Sequence, residues 1–425
     1  MDKRSYLKFV KTIFQEFITA FYWPKEAVPM LNTSCKLKEM AYGIQDYLTS
    51  LRREFHSHPE LSSEEFGTRQ IIIRELEAHG IPYVKVDGTG IVAILKGGKP
   101  GKNRMIRADI DALPLQEEPE NLKGKKICIS QVPGKCHACG HDGHMAMLLG
   151  TLKLLKQLQA EVPGTVYAAF EEGEEATTGV AKMLKALEPY PIEECFALHV
   201  YAGLGSGKIS IAPGPRMAGT VGIGFSVKGK AGHGSRPDQA RNPIIPAAHI
   251  LTEINSAFLN QLDPEETTTL GICQFQAGTT SNIIPDSAYI AGTARYFNKA
   301  EGEKALEIIT RTAQQVAAIH QCQVEFADRH KISLLPVVND PQVARRVADG
   351  VRQICGESAL EDCGKWYASE SFSEYMEKYP GALGLLGIRN EALGTGAPHH
   401  NGKFDLDESA LPLGVCAELS FVCND

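Results

Sequence analysis

Met105-Ile106-Arg107-Ala108-Asp109-Ile110-Asp111 is a short apolar run that closes on two aspartates one residue apart. A strand buried on both faces reads this way, nearly continuous in apolar residues instead of alternating, and such strands belong to mostly parallel sheets. Residues 165–170 and 195–200 share the texture, and helical spacing fills 145–158 and 180–187. Strands alternating with helices of this length predict an α/β layered domain. Upstream, Leu48, Leu51, Phe55 and Leu61 mark one face of another helix.

The texture changes near Met217. Residues 221–227, 270–275 and 288–294 alternate as half-exposed strands do, while 246–259 and 301–319 have helical spacing. That pattern predicts a separate α+β unit with an antiparallel sheet. Helix patterns return beyond Asp328 and end in an apolar stretch over 411–422. At 425 residues the chain exceeds what one core usually supports. The expected organisation is therefore a discontinuous α/β domain (36–215 and 329–425) with a smaller α+β domain inserted at 216–328.

Apolar residues make up 43% and charged residues 22%, the balance of a soluble globular chain. The net charge is −7 and the basic residues are scattered, which excludes the basic stripe of a nucleic-acid binder. Eleven cysteines in no dense framework read mostly as buried thiols in a reducing cytoplasm. Residues 1–35 form an extension. Its apolar residues from Tyr6 to Phe21 recur three and four apart, interrupted by Lys8, Lys11, Gln15 and Glu16. This spacing describes an amphipathic helix that packs on the protein's own body or a sister subunit, neither a signal peptide nor a membrane span.

The chemistry concentrates in Cys136-His137-Ala138-Cys139-Gly140-His141-Asp142-Gly143-His144, where soft and borderline ligands crowd the loop entering a helix. Cys136 and Cys139 also make a Cys-X-X-Cys pair, so a redox reading stands beside the metal one. Glu171-Glu172-Gly173-Glu174-Glu175 places four carboxylates at the end of a buried strand, where they repel unless something cationic gathers them. His199 ends another apolar strand, and His399-His400 precede a short polar segment. Each is ambiguous alone, since acidic turns and core histidines are common. Together they supply the donor set of zinc or a neighbouring divalent ion.

Six stretches make the chain resemble the M20 metallopeptidase family. They are RREFHSHPELS at 52–62, RADIDALP at 107–114, HACGHDGH at 137–144, GKAGHGSRP at 229–237, NIIPDS at 282–287 and GTAR at 292–295. The resemblance lies with the amidohydrolase branch of hippurate hydrolases, indole-acetyl-amino-acid hydrolases and acetyldiaminopimelate deacetylases. It implies a zinc-exopeptidase-like α/β/α catalytic domain with an inserted lid and dimerisation domain, and a homodimer. It also implies two divalent ions per subunit, zinc or manganese, and a small N-acyl amino acid as substrate.

Carried over residue by residue, the resemblance implies Cys139, His141, Glu175, His199 and His400 as metal ligands, with His399 the nearest rival to the last. An ungapped reading places the family's glutamate pair at Glu174 and Glu175, and the competing register at Glu171 and Glu172. Glu174 is then the general base and acid, Asp111 orients a ligating histidine, and His233 stabilises the oxyanion from a neighbouring subunit. Asn282 and Arg295 would bind substrate, with a structural salt bridge an equal reading for Arg295. Two departures stand out: Ser371 replaces a common aspartate, and Cys136 puts a second thiol near the metals. Two other functions fit the same residues, a Cys139-nucleophile hydrolase and a catalytically silent binding protein.

Overall fold

The structure, a computed structural model, describes residues 27–424. The amphipathic pattern over residues 6–21 lies outside the described residues. The run that opened the sequence forms the strand Arg104–Asp109, buried at every position. It sits inside a seven-stranded sheet, parallel to Thr165–Glu171 on one side and to Glu194–Gly205 on the other. Gly381–Arg389 continues the parallel set beyond Glu194–Gly205. Antiparallel strands close both edges, Ile91–Lys96 with Tyr83–Lys85 at one and Ile209–Ser210 at the other. The fold is α/β.

Helices His141–Gln157 and Leu411–Cys423 pack together on this sheet and are buried almost throughout. Their apolar residues join those of Gln45–Ser57 and Pro341–Cys355 in one large core. Leu48, Leu51 and Phe55 line the inner face of Gln45–Ser57 as their spacing predicts. Leu61 does not belong to that face. The helix ends at Ser57, before Pro59, and Leu61 bridges to Ala112 instead.

The second sheet is antiparallel, with Thr268–Ala277, Ser287–Tyr296, Gly219–Lys228 and Gln323–Phe326 in that order. Lys331–Leu334 also pairs with Gly219–Lys228, so the sheet runs past residue 328. Ile244–Gln261 and Lys299–Ile319 cover one face, and Ile223, Ile250, Ile290 and Ile309 are among the residues of their shared core. Met217 pairs with Val337 in a small ribbon where the chain enters and leaves this unit. Among the described residues no helix is long and apolar enough to cross a membrane.

Candidate metal centre

The carboxyl ends of the parallel strands deliver the polar groups to one crevice, where open α/β sheets place their ligands. Asp109 closes Arg104–Asp109, and Asp111 follows two residues on. Glu194–Gly205 runs beyond the stretch that pairs with its neighbour and carries His199 out to the crevice. Cys139 and His141 come from the loop at the start of His141–Gln157. That loop turns at Gly140 with φ +93, so close to the strand that a Cβ would lie 2.3 Å from Val200 Cγ2. Only glycine combines that backbone with that approach.

The acidic run divides in two. Glu171 accepts hydrogen bonds from Arg107 Nε and the Tyr375 hydroxyl, both 2.8 Å. Glu172 pairs with Lys182 and accepts from Thr89. These two carboxylates are therefore neutralised within the protein. Glu174 and Glu175, beyond the turn, are left for the crevice.

There the ligand atoms converge. Those of Cys139, His141 and His199 lie within 4.8 Å of one another, as do those of Cys139, Glu175 and His400, and those of His141, Glu174 and Glu175. Cys139 is common to the first two groups. His141 Nδ1 faces Asp111 Oδ1 at 3.1 Å, and His199 Nδ1 donates to the Val200 carbonyl at 2.6 Å. Each ring thus spends Nδ1 on an acceptor and turns Nε2 toward the cluster, where a neutral imidazole offers its lone pair to a metal. Among the described residues His141 Nε2 is buried without a hydrogen bond, and so is Glu175 Oε1, although His400 Nε2 stands 3.2 Å from that oxygen. Buried polar atoms are rarely left unpaired. Ligand atoms that converge and leave lone pairs unspent in this way suit a divalent metal.

The carboxylates around the cluster favour a positive charge there, a proton on His141 or a cation in its place. Burial works against a charged His141, but Asp109 and the Asp111 hydrogen bond outweigh it and hold the ring well above its ordinary pKa. Burial and the neighbouring histidines His144 and His399 push His199 well below its own. The Cys139 thiol is driven well up by burial and by Glu175. A thiol held up in this way keeps its proton unless a cation displaces it, so attack as a free thiolate is disfavoured. Glu174 is raised well above the carboxylate range by burial and by Glu370. Its Oε1 accepts the Ser371 N–H at 2.9 Å.

Other expected residues fall elsewhere. His399 accepts the Ala202 N–H through Nε2 and packs against Trp366 and Phe404, whereas His400 reaches Glu175 from a left-handed backbone with φ +58. A non-glycine residue in that conformation is strained, and such strain collects at functional sites. His144 uses both nitrogens, on Asp109 and on the Val200 N–H. Cys136 does not join the cluster; it is buried where its backbone pairs with Leu113, and burial pushes its thiol up to about 12. His137 is also buried outside the cluster, depressed by burial to about 4. The cysteines are less uniformly buried than expected, since Cys35 and Cys273 are exposed.

Arg295 lines the cleft, bonded to the hydroxyls of Thr220 and Ser369, and among the described residues it makes no ion pair. The salt-bridge reading of Arg295 is therefore not what the structure contains. His233 and Asn282 are exposed and stand outside this chain's own cleft. Ser371 lies in a buried web around the Arg107 guanidinium, which contacts Asp109 at 2.7 Å and Glu370 at 3.0 Å. Its hydroxyl accepts from Arg107 at 2.7 Å and donates to Glu171 at 2.8 Å. Asp109, Glu370, Tyr201 and Trp366 were given no role from the sequence. Asp109 carried a local signal, its place at the end of a buried strand, and Glu370 one as the neighbour of Ser371 in a family motif.

A sequence model described as peptidase family M20/M25/M40 matches residues 105–423. The thermostable carboxypeptidase 2 of Saccharolobus solfataricus is 34% identical over 90% of this chain and 96% of its own. The N-acetylcysteine deacetylase of Bacillus subtilis is 35% identical over 88% of this chain and 96% of its own. Among solved structures, the Bacillus subtilis YXEP protein, a dinuclear metal binding peptidase from the M20 family, superposes with a TM-score of 0.75. It is 32% identical and the match covers 89% of this chain and 98% of that one.

Proposed function

This chain belongs to peptidase family M20/M25/M40, and we propose that its crevice hydrolyses the amide bond of N-acyl amino acids. It is a metal-dependent amidohydrolase with two metal ions per subunit. The observation that carries the reading is the convergence of Cys139, His141, Glu175, His199 and His400 with His141 Nε2 and Glu175 Oε1 left unbonded. In this reading those five residues hold the ions, with Cys139 between the two sets. One thiol, three imidazoles and one carboxylate favour zinc over manganese, which prefers oxygen donors.

When bound, the ions supply the Lewis acidity that polarises an amide carbonyl and acidifies water. Glu174 takes the proton of the attacking water and returns it to the departing amine nitrogen. The Ser371 N–H fixes the carboxylate's position. Asp111 holds the His141 ring so that Nε2 faces the cluster. Arg295, desolvated and without a carboxylate partner, binds the substrate's carboxylate by a forked pair of hydrogen bonds.

The oxyanion donor, His233, comes from a second copy of the chain. The strand Thr268–Ala277 supports this reading. Among the described residues it is a ten-residue sheet edge open on one side with Phe275 exposed, and open edges of this length invite pairing. Asn282, beside that histidine, would enter the partner's cleft with it. All eleven cysteines are free, which supports a reducing cytoplasm.

The test is a Glu174→Gln variant assayed for free amine on a panel of N-acyl amino acids. It should keep its metal by elemental analysis and lose activity by about 100-fold or more. Full activity in that variant, or wild-type activity that survives complete chelation, would refute the mechanism. A monomer by light scattering, fully active, would refute the role of His233.

A further inference from the structure

The cleft is larger than the cluster at its base requires. Its cavity is about 930 Å3, at the upper end for a small-molecule site. One wall comes from the catalytic sheet and the other from the antiparallel sheet, and each wall contributes a guanidinium. Arg295 stands on the strand Ser287–Tyr296 and Arg389 closes the strand Gly381–Arg389.

Arg389 is exposed and among the described residues makes no ion pair, while the acidic groups that line the cleft, Glu174 and Glu175, face Ser371 and the histidines. An unpaired surface arginine is ordinarily a solvated one. This one is seated. Its carbonyl accepts the Ser206 N–H at 2.9 Å, and its stem lies across Gly396. A Cβ at Gly396 would fall 2.5 Å from Arg389 Cγ, and the φ of +102 there also demands glycine. The backbone thus clears a path for the stem and leaves the charged head free at the cleft.

A substrate's single α-carboxylate satisfies one guanidinium and leaves the other. We propose that the cleft selects substrates with two carboxylates, Arg295 holding one and Arg389 the second. That chemistry occurs in an N-acyl aspartate or glutamate, and equally in an amino acid acylated by one end of a dicarboxylic acid. The inference rests on the amidohydrolase reading and names the substrate class of that same site. Arg389 acts on affinity and selectivity, not on the reacting atoms.

The test uses the metal-loaded enzyme and two isosteric pairs, N-acetyl-glutamate with N-acetyl-glutamine and N-succinyl-alanine with N-succinamoyl-alanine. At least one dicarboxylate should exceed its amide in kcat/KM by about tenfold, the difference residing in KM. The pair that shows it tells whether the second carboxylate belongs to the amino acid or to the acyl group. Arg389→Gln should bring that ratio to near one, and Arg389→Lys should restore part of it, which a merely structural role would not do. Ratios near one in the wild type, or a ratio untouched by Arg389→Gln, would overturn the inference and leave the amidohydrolase reading standing. If no N-acyl amino acid is hydrolysed by metal-loaded enzyme, that reading falls and the inference falls with it.

Discussion

Replacing Glu418 by glutamine should stabilise the protein, and increasingly so as the pH rises. Glu418 lies on Leu411–Cys423 where that helix packs on His141–Gln157, and it is fully buried with a hydrogen bond from Thr151. Burial raises its pKa from 4.5 to about 8, against the smaller opposing effect of Thr151. The folded chain therefore keeps a proton that the unfolded chain has released. The stability this group contributes is complete below about pH 4.5 and is lost as the pH climbs through about 8. Each pH unit in that window costs about 1.4 kcal/mol. The loss reaches about 3 kcal/mol at pH 7 and about 5 kcal/mol above pH 8, and glutamine, which cannot ionise, escapes it. The amide brings one unpartnered donor, a cost that is the same at every pH. Thermal unfolding of both proteins from pH 5 to pH 8.5 isolates the effect, because every other titrating group cancels in the difference. Between pH 5 and pH 7 the gap in Tm should open by about 4 °C. Parallel curves would mean that Glu418 is ionised in the fold, and would refute the argument.

Two further substitutions probe the crevice. Arg295→Met should raise KM and lower kcat/KM about 10- to 100-fold for substrates with a free α-carboxylate, and change little for their amides, as steady-state assays on both would show. Gly140→Ala forces a left-handed backbone and a clash with Val200; it should cost about 2–5 kcal/mol in urea unfolding and lower the metal bound per chain.

Much of the scaffold was legible because its signals are local. A strand buried on both faces must be apolar throughout, and Arg104–Asp109, Thr165–Glu171 and Glu194–Gly205 announce themselves in that way. Helices begin a few residues before their apolar spacing does, as His141–Gln157 does, because its first turn is made of polar site residues. The acidic run was harder. Nothing within it distinguishes Glu171 from Glu174, and the partners that do, Arg107, Tyr375 and Ser371, come from distant parts of the chain. Trp366 had no local mark at all, since its place at the crevice depends on how the segment after Leu360 lies across the sheet, and Glu370 was marked only as the neighbour of Ser371. Leu61 and Cys136 show the converse failure, where plausible spacing was overruled by a helix ending early and by a backbone bridge.

The serine at position 371 looked like a lost charge, and the packing around it argues that the charge has moved instead. Arg107 is the buried cation at the centre of that web, already faced by Asp109, Glu171 and Glu370. A fourth carboxylate there would have no cation to match, and burial together with Asp109 and Glu171 already raises Glu370 against the pull of Arg107. Ser371 donates its proton to Glu171, so the negative charge stands one hydrogen bond away from where an aspartate would put it. Ser371→Asp alone should therefore destabilise by about 3–5 kcal/mol, as an unmatched buried charge does. Glu171→Gln alone removes a carboxylate from the guanidinium and should cost about 1–3 kcal/mol. Made together, they return one negative charge and one neutral donor to the same pair of positions. The double variant should recover at least about 2 kcal/mol relative to the sum of the single changes. It should also regain activity, because the Ser371 backbone N–H that holds Glu174 depends on that segment's position. Additive losses in urea unfolding would show that the two side chains do not share one charge, and that the serine is a loss the fold simply tolerates.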